Sequence, residues 1–298
     1  MFPPHRVLAA IDFSEPSRVA LIMAARLAAH CHAELHVLYA EDPLLCAAAR
    51  MNGINLSQEA GDELTAFIAA SELPPGMQTR PHVVGGPAAD VIRNVSCREQ
   101  ADVIVIGAHG ASGAERLVFG STAEAVLRRS TIPVLLVPHT WVPPNALLPD
   151  LSGTGPVIVA LDFSAGSLEA LAAGFRLART LHTSLTLLHV VGPLHVIERW
   201  RTHADAAIQQ RINESRKELA RLARGLAMDV AVDTRVEIGP VPDCIAAAAQ
   251  SNGDRHPLLV LGRRLPHGRG DAPGSIAYRV ASLAHVPTLM FMAEHRPD

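Results

Sequence analysis

Residues 101–122 read A-D-V-I-V-I-G-A-H-G-A-S-G-A-E-R-L-V-F-G-S-T. The stretch opens on four apolar residues, 103–106, a run the length of a strand buried on both faces. The run stops at Gly107, passes Gly110, and reaches Gly120 just before Ser121 and Thr122, where the pattern predicts a helix start. The spacing is G-x2-G-x9-G-S-T, a glycine loop between a strand and a helix N-terminus. Glycine lets main-chain N–H groups come close to a ligand. The first helical turn adds unpaired donors at the positive end of its dipole. The stretch therefore predicts a cradle for phosphate oxygens.

The rest of the chain contains this arrangement twice over. Val7 to Ser14 (V-L-A-A-I-D-F-S) returns as Val157 to Ser164 (V-I-V-A-L-D-F-S). Leu35 to Ala40 returns as Leu185 to Val190. Gly86-Pro87 with Asp90 returns as Gly239-Pro240 with Asp243, and 132–137 returns as 286–291. Ordered matches over nearly the whole length point to a duplication. We expect one domain over 1–140 and a second over 153–298. The proline- and glycine-rich stretch 138–156 is read as a connector, with Trp141, Leu147 and Leu148 laying it along a surface.

Each half alternates strand and helix. In the first, strands are expected at 6–11, 34–39, 78–84, 103–106 and 134–137. Helices are expected at 18–29, after a start near Ser14-Glu15-Pro16, at 57–70, after Gly86-Pro87, and from Ser121. Ser121 and Glu124 have capping-box spacing. The second half repeats the pattern, with an amphipathic helix over 201–224. Alternation of this kind predicts an α/β fold: a parallel sheet with right-handed crossovers. Five strands in the order 3-2-1-4-5 would put the switch in direction between strands 1 and 4. Asp12 and Gly107 would then share one crevice at the strand C-termini.

The chain has 298 residues, 49% of them hydrophobic, and a net charge of −3, which gives no electrostatic case for nucleic acid. No apolar run approaches the roughly 20 residues of a membrane span. The N-terminus runs straight into a strand and does not read as a signal peptide. Four scattered cysteines (31, 46, 97 and 244) predict free thiols and a cytoplasmic setting, and they are read as inert small apolar residues. His30, Cys31, His32 and His36 lie close in sequence, but they are read as surface or helix-end residues and not as a metal site.

These residues resemble the universal stress protein family in its tandem-domain form. The resemblance rests on Ile11-Asp12-Phe13-Ser14, on the glycine signature from Gly107 to Ser121, and on Pro133-Val134-Leu135-Leu136-Val137. It implies two domains with five-stranded parallel sheets, helices on both faces, and an adenine nucleotide alpha hydrolase-like fold. It also implies ATP binding in members that carry the signature, and dimer-like packing through the fifth strands. The two halves would then form an intramolecular pseudo-dimer, and a homodimer of whole chains is a further option.

Carried over by motif, Gly107, Gly110, Gly120, Ser121 and Thr122 fit the phosphate and ribose positions. Ala40 fits the place where main chain meets adenine, with Ala10 and Ile11 on the same wall. Asp12 fits a group accepting from a ribose hydroxyl or helping to hold Mg²⁺ through water; taken alone, it reads equally well as a helix-start turn residue. His109 and Arg116 could reach phosphate. In the second half Asp162, Val190 and Gly262 persist, but Leu265 replaces the second glycine and Gly274-Ser275 arrives one residue early. Arg263 and Arg264 add charge beside this eroded copy, or form a solvated loop.

There is no G-x-x-x-x-G-K-[ST] loop, and Lys217 is the only lysine. Fast phosphoryl transfer therefore lacks its usual charge stabilisation. The sequence points to an ATP-binding, nucleotide-responsive regulator of stress adaptation, with at most weak hydrolysis. The competing readings are a slow ATPase or phosphotransferase, and a carrier or scaffold for some other small ligand.

Overall fold

Arg6–Ile11 (β1) is buried along almost its whole length and pairs in parallel with Glu34–Glu41 (β2) on one side and Val103–Gly107 (β4) on the other. Thr79–Gly85 (β3) extends the sheet beyond β2, and Val134–Val137 (β5) extends it beyond β4, giving β3-β2-β1-β4-β5. These relations come from a computed structural model, which describes residues 2–108, 119–142, 151, 153–194, 201–226, 229–251, 256–263 and 275–292. The chain divides into two compact units, Met1–Ser152 and Gly153–Asp298.

Parallel strands need long crossovers, and helices supply them. Glu15–Cys31 (α1) packs on β1 and β4, and Leu56–Ala70 (α3) packs on β2 and β3. Ala88–Arg98 (α4) packs on β2 and against Ser121–Arg129 (α5). The core is Leu8, Leu35, Leu38 and Ile104 from the sheet, with Leu21, Met23, Leu64 and Leu127 from the helices. In α1, Ser14 is the N-cap and accepts from the Ser17 N–H, with Pro16 in the first turn where its missing N–H costs nothing.

The second unit repeats the plan. Val157–Ala160 (β6) lies between Leu185–Val191 (β7) and Leu258–Arg263 (β9), flanked by Val232–Ile238 (β8) and Thr288–Met292 (β10). Its helices are Ala165–Thr180 (α6), Arg201–Arg224 (α7), Val241–Gln250 (α8) and Ser275–Leu283 (α9). The duplication extends to register: Val7 faces Leu35 and Val103, and Val157 faces Leu185 and Leu258.

Two expectations need correction. Pro43–Met51 (α2) is a helix where the sequence shows little pattern, because its apolar residues are not gathered on a buried stripe: Leu44 is 81% and Met51 88% exposed. Ser121 is the first helical residue of α5 and not its cap. The N-cap is Gly120, which has no side chain to offer, and Glu124 reaches Arg128 instead of closing a capping box. In the connector, Trp141 is buried, while Leu147 and Leu148 lie outside the described residues.

Two mid-helix glycines make opposite predictions. At Gly61 in α3 an added Cβ meets nothing within 4 Å, so Gly61→Ala should raise stability by about 0.5–1 kcal/mol through helix propensity. At Gly174 in α6 the Cβ would collide with the Val159 side chain of β6 and touch Val260 at 3.7 Å. There overpacking of about 1–3 kcal/mol outweighs the propensity gain, and Gly174→Ala should lower the denaturation midpoint of its unit. Equal shifts from the two substitutions in urea titrations would refute this account of the α6–β6 contact.

Candidate functional site

β1 and β4 are neighbours, but their following helices leave toward opposite faces of the sheet. The gap this creates at the strand C-termini holds a cavity of about 210 Å³. β1 contributes Ala10 and Ile11, with Asp12 just beyond it. β2 contributes Leu38 and Ala40, and β4 contributes Ile106 and Gly107. Gly120, Ser121, Thr122 and Ala123 come from the start of α5, and Ala88 and Ile92 from α4. The structure thus brings together eight of the eleven residues singled out in the first half. His109 and Gly110, with Arg116, lie outside the described residues.

The two helix starts at this cavity differ. That of α1 is closed by its own side chains. Ser14 caps it, and Asp12 Oδ1 accepts from the Ser14 N–H at 3.1 Å and from the Ser14 hydroxyl. That of α5 carries no side-chain cap: Gly120 donates its N–H to Ala108 O at 2.9 Å, and Ser121, Thr122 and Ala123, whose amides belong to the first helical turn, line the cavity. Gly120 has φ −61° and ψ 147°, a conformation open to any residue, so its lack of a side chain matters here and not its backbone freedom.

Sequence reasoning missed Phe13. It sits at φ 62°, and its counterpart Phe163 at φ 63°, both left-handed conformations that cost a non-glycine residue energy. Packing compensates. The Phe13 ring lies 4.4 Å from Tyr39 and edge-on to Phe67 at 5.5 Å, and Arg18 stands 4.3 Å over Phe67. The only sequence signal was the repetition of Asp-Phe-Ser at both strand ends.

The second unit holds a larger cavity, about 350 Å³, at the equivalent place. Asp162, Val190, Gly262 and Arg263 line it. Ser275 begins α9, and Gly274 lies outside the described residues, as do Arg264 and Leu265. Its character has changed. Val190 replaces Ala40, and Ile276 stands where the first unit has Thr122. Gly262 has a structural reason to persist, since a Cβ there would meet the Gly166 carbonyl oxygen of α6 at 2.6 Å. Arg263 is not part of a solvated loop but is 3% exposed, and burial pushes its guanidinium pKa down.

Both units match the family model described as the universal stress protein family, over residues 4–138 and 154–291. The chain belongs to the universal stress protein family. Single-domain relatives each match about half of it. The universal stress protein A homolog 1 of Coxiella burnetii is 32% identical over 136 residues, covering 44% of this chain and 94% of the relative. Universal stress protein YxiE of Bacillus subtilis is 28% identical over 145 residues, covering 45% and 98%. The solved structure of a universal stress protein from Archaeoglobus fulgidus matches the fold across 98% of this chain and 100% of its own, with a TM-score of 0.64 and 22% identity.

Within this universal stress protein the histidines near the α1–β2 turn do not behave alike. His32 is exposed, but His36 is 1% exposed inside the sheet, against the expectation of a surface residue. No helix among the described residues is long and apolar enough to cross a membrane. All four cysteines are free thiols. Burial pushes the Cys31 pKa up to about 12, which makes it a poor nucleophile, whereas Cys97 is exposed and not a core residue.

The hydrogen bonds of Asp12 define a structural share of its role that needs no ligand. Asp12→Ala should cost about 1 kcal/mol of stability in the ligand-free protein, whereas Asp12→Asn, which keeps an acceptor for the Ser14 N–H, should stay within about 0.5 kcal/mol of wild type. Thermal denaturation of both variants checks this; an Asp12→Ala protein as stable as wild type would show that the turn does not depend on the side chain.

Proposed function

We propose that this universal stress protein binds ATP in the cavity of its first unit and acts as a nucleotide-responsive regulator of stress adaptation. The observation that carries the reading is the uncapped N-terminus of α5, opening onto a cavity whose opposite wall is the apolar end of β1 and β2. Phosphate oxygens would take the amides after Gly120 and the Ser121 and Thr122 hydroxyls, favoured by a helix dipole worth about 0.3–1 kcal/mol, up to about 2 where partly buried. The adenine ring would lie against Ala10, Ile11 and Ala40, small enough to admit a flat ring. Asp12, at the rim, would meet the ribose or a water of a phosphate-bound Mg²⁺. His109 and Gly110, which lie outside the described residues, are candidates for the phosphates by motif alone.

The role is binding and not rapid turnover. No positively charged side chain is among the described residues lining the cavity, and the single lysine belongs to α7 of the second unit. Transition-state charge on a transferred phosphoryl group would go without the stabilisation that fast nucleotide enzymes provide. In the second unit, Ile276 at the position of Thr122 and Val190 at that of Ala40 disfavour a triphosphate nucleotide. We expect one nucleotide per chain, and free thiols at all four cysteines suit a reducing cytoplasm.

Calorimetry with MgATP should give one site per chain in the wild type. Gly120→Val keeps an allowed backbone but places a branched side chain in front of the α5 amides, and should weaken binding at least tenfold. Asp162→Ala, in the second unit, should leave it unchanged. Wild-type affinity in Gly120→Val would overturn the assignment of the phosphates to α5.

A further inference from the structure

His36 of β2 and His82 of β3 face each other from neighbouring strands, with Nδ1 of His36 3.0 Å from Nε2 of His82. Their ring centroids are 5.2 Å apart and the planes only 6° from parallel. A centroid separation larger than the N···N distance by nearly two ring radii means that the rings lie edge to edge, almost in one plane. They share a hydrogen bond and are not stacked face to face. Glu99, the residue that ends α4, completes the group. Its Oε1 accepts from Arg98 Nε at 2.7 Å, and its Oε2 is 4.0 Å from His36 Nδ1. One ligand atom from each of the three residues lies within 4.8 Å of the others.

The buried side of His36 fixes its tautomer. Its Nε2 and Glu34 Oε2 are both shielded from water, neither makes a hydrogen bond, and they are 3.5 Å apart. Two lone pairs held face to face there would be costly, so we assign the proton to Nε2, on the side of the carboxylate, whose Oε2 also stands 3.5 Å from Arg6 Nε. Nδ1 is then left unprotonated, an acceptor toward His82. A carboxylate behind one imidazole nitrogen and a bare lone pair on the other is how proteins orient a histidine for a metal.

We propose that His36 Nδ1, His82 Nε2 and Glu99 form a binding site for a divalent transition-metal ion of the Zn²⁺ class, with Glu34 orienting His36 and water filling the remaining position. In a tetrahedral site with Zn–N bonds of about 2.0–2.1 Å, two nitrogens stand about 3.3 Å apart, so the pair, now at 3.0 Å, opens by about 0.3 Å and turns out of its common plane. His82 can make that turn, because it is half-buried on the edge strand. On metal binding the proton on His82 Nε2 moves to its Nδ1, and the metal takes the place of the N–H···N bond. Burial holds the His82 pKa down, the direction that favours the neutral ring. The charged groups around the cluster are Glu34 and Glu99, and Arg6, Arg80 and Arg98. The arginines oppose a cation, but the side chains of Arg80 and Arg98 are 62% and 57% exposed and their charges are screened. The two imidazoles exclude a preference for Mg²⁺, which takes oxygen ligands.

The test is Zn²⁺ titration of the chelator-stripped full chain against a competing chromophoric chelator. The wild type should show one tight equivalent that survives millimolar Mg²⁺. His82→Gln and Glu99→Gln, both at half-buried positions where folding is not at stake, should each weaken it at least tenfold. His5→Gln, at an exposed histidine outside the cluster, should leave it unchanged. Co²⁺ should give visible d–d bands in the wild type that His82→Gln loses. Tight Zn²⁺ binding that persists in both His82→Gln and Glu99→Gln would overturn the proposal, as would a wild type with no equivalent tighter than those variants. MgATP affinity measured on His82→Gln keeps this test separate from that of the nucleotide cavity.

Discussion

The parallel pairing of β1 with β4 is the constraint on which the other features of the first unit depend. Val7 to Ala10 lie beside Val103 to Ile106, and all are buried. Because the two strands are adjacent yet their crossovers leave on opposite faces, no helix can cover the gap beyond their C-termini. Main chain ending at Asp12 and at Gly107 is therefore left beside an opening. The same pairing recurs between β6 and β9, so the opening is a product of topology. It exists whether or not the residues around it still suit a nucleotide.

The duplication separates what the fold requires from what a ligand requires. The Asp-Phe-Ser turn is kept in both units with the same left-handed phenylalanine and the same hydrogen bond from the Ser N–H to the Asp carboxylate, although the two cavities differ in lining. A strained turn kept in both copies is better explained by the need to start α1 and α6 than by a ligand. Gly262 is likewise held by the close approach of α6. The differences lie at Ala40 against Val190 and Thr122 against Ile276, which are side chains that would face a ligand. The two openings thus differ in lining, while the turn that builds each of them is the same.

Strand positions were legible in the sequence because each is a short apolar run. β1, β5 and α7 fall where the pattern puts them. Of the cavity lining, Gly107, Gly120 and Asp12 were legible through spacing and strand order, and Ala10, Ile11 and Ala40 only through the family resemblance. Three features were not. α2 has exposed leucines and gives no periodic stripe. The cap of α5 was placed one residue late because Ser121 has the right chemistry for a role that the chain gives to Gly120. His36 was misread because a strand buried on both faces has no alternation to say which residues are inside. Its partners His82 and Glu99 are 46 and 63 positions away and were invisible to any local pattern.

The histidine pair also lies on the same sheet face as the cavity of the first unit. Parallel register puts His36 beside Arg80 and Leu38 beside His82, while Leu38 itself lines the cavity of the first unit. α4 spans the same face, with Ala88 and Ile92 at the cavity and Glu99 at the histidines. One helix and one strand therefore belong to both places, joined through Leu38, which is 1% exposed and packed on all sides. A close-packed core transmits displacement because it has no voids to absorb it. Opening the His36–His82 pair would displace β3 or the end of α4, and α4 is also a wall of the cavity. Any coupling between the two would have to run through that helix and that strand, since among the described residues both α4 and β2 reach both places.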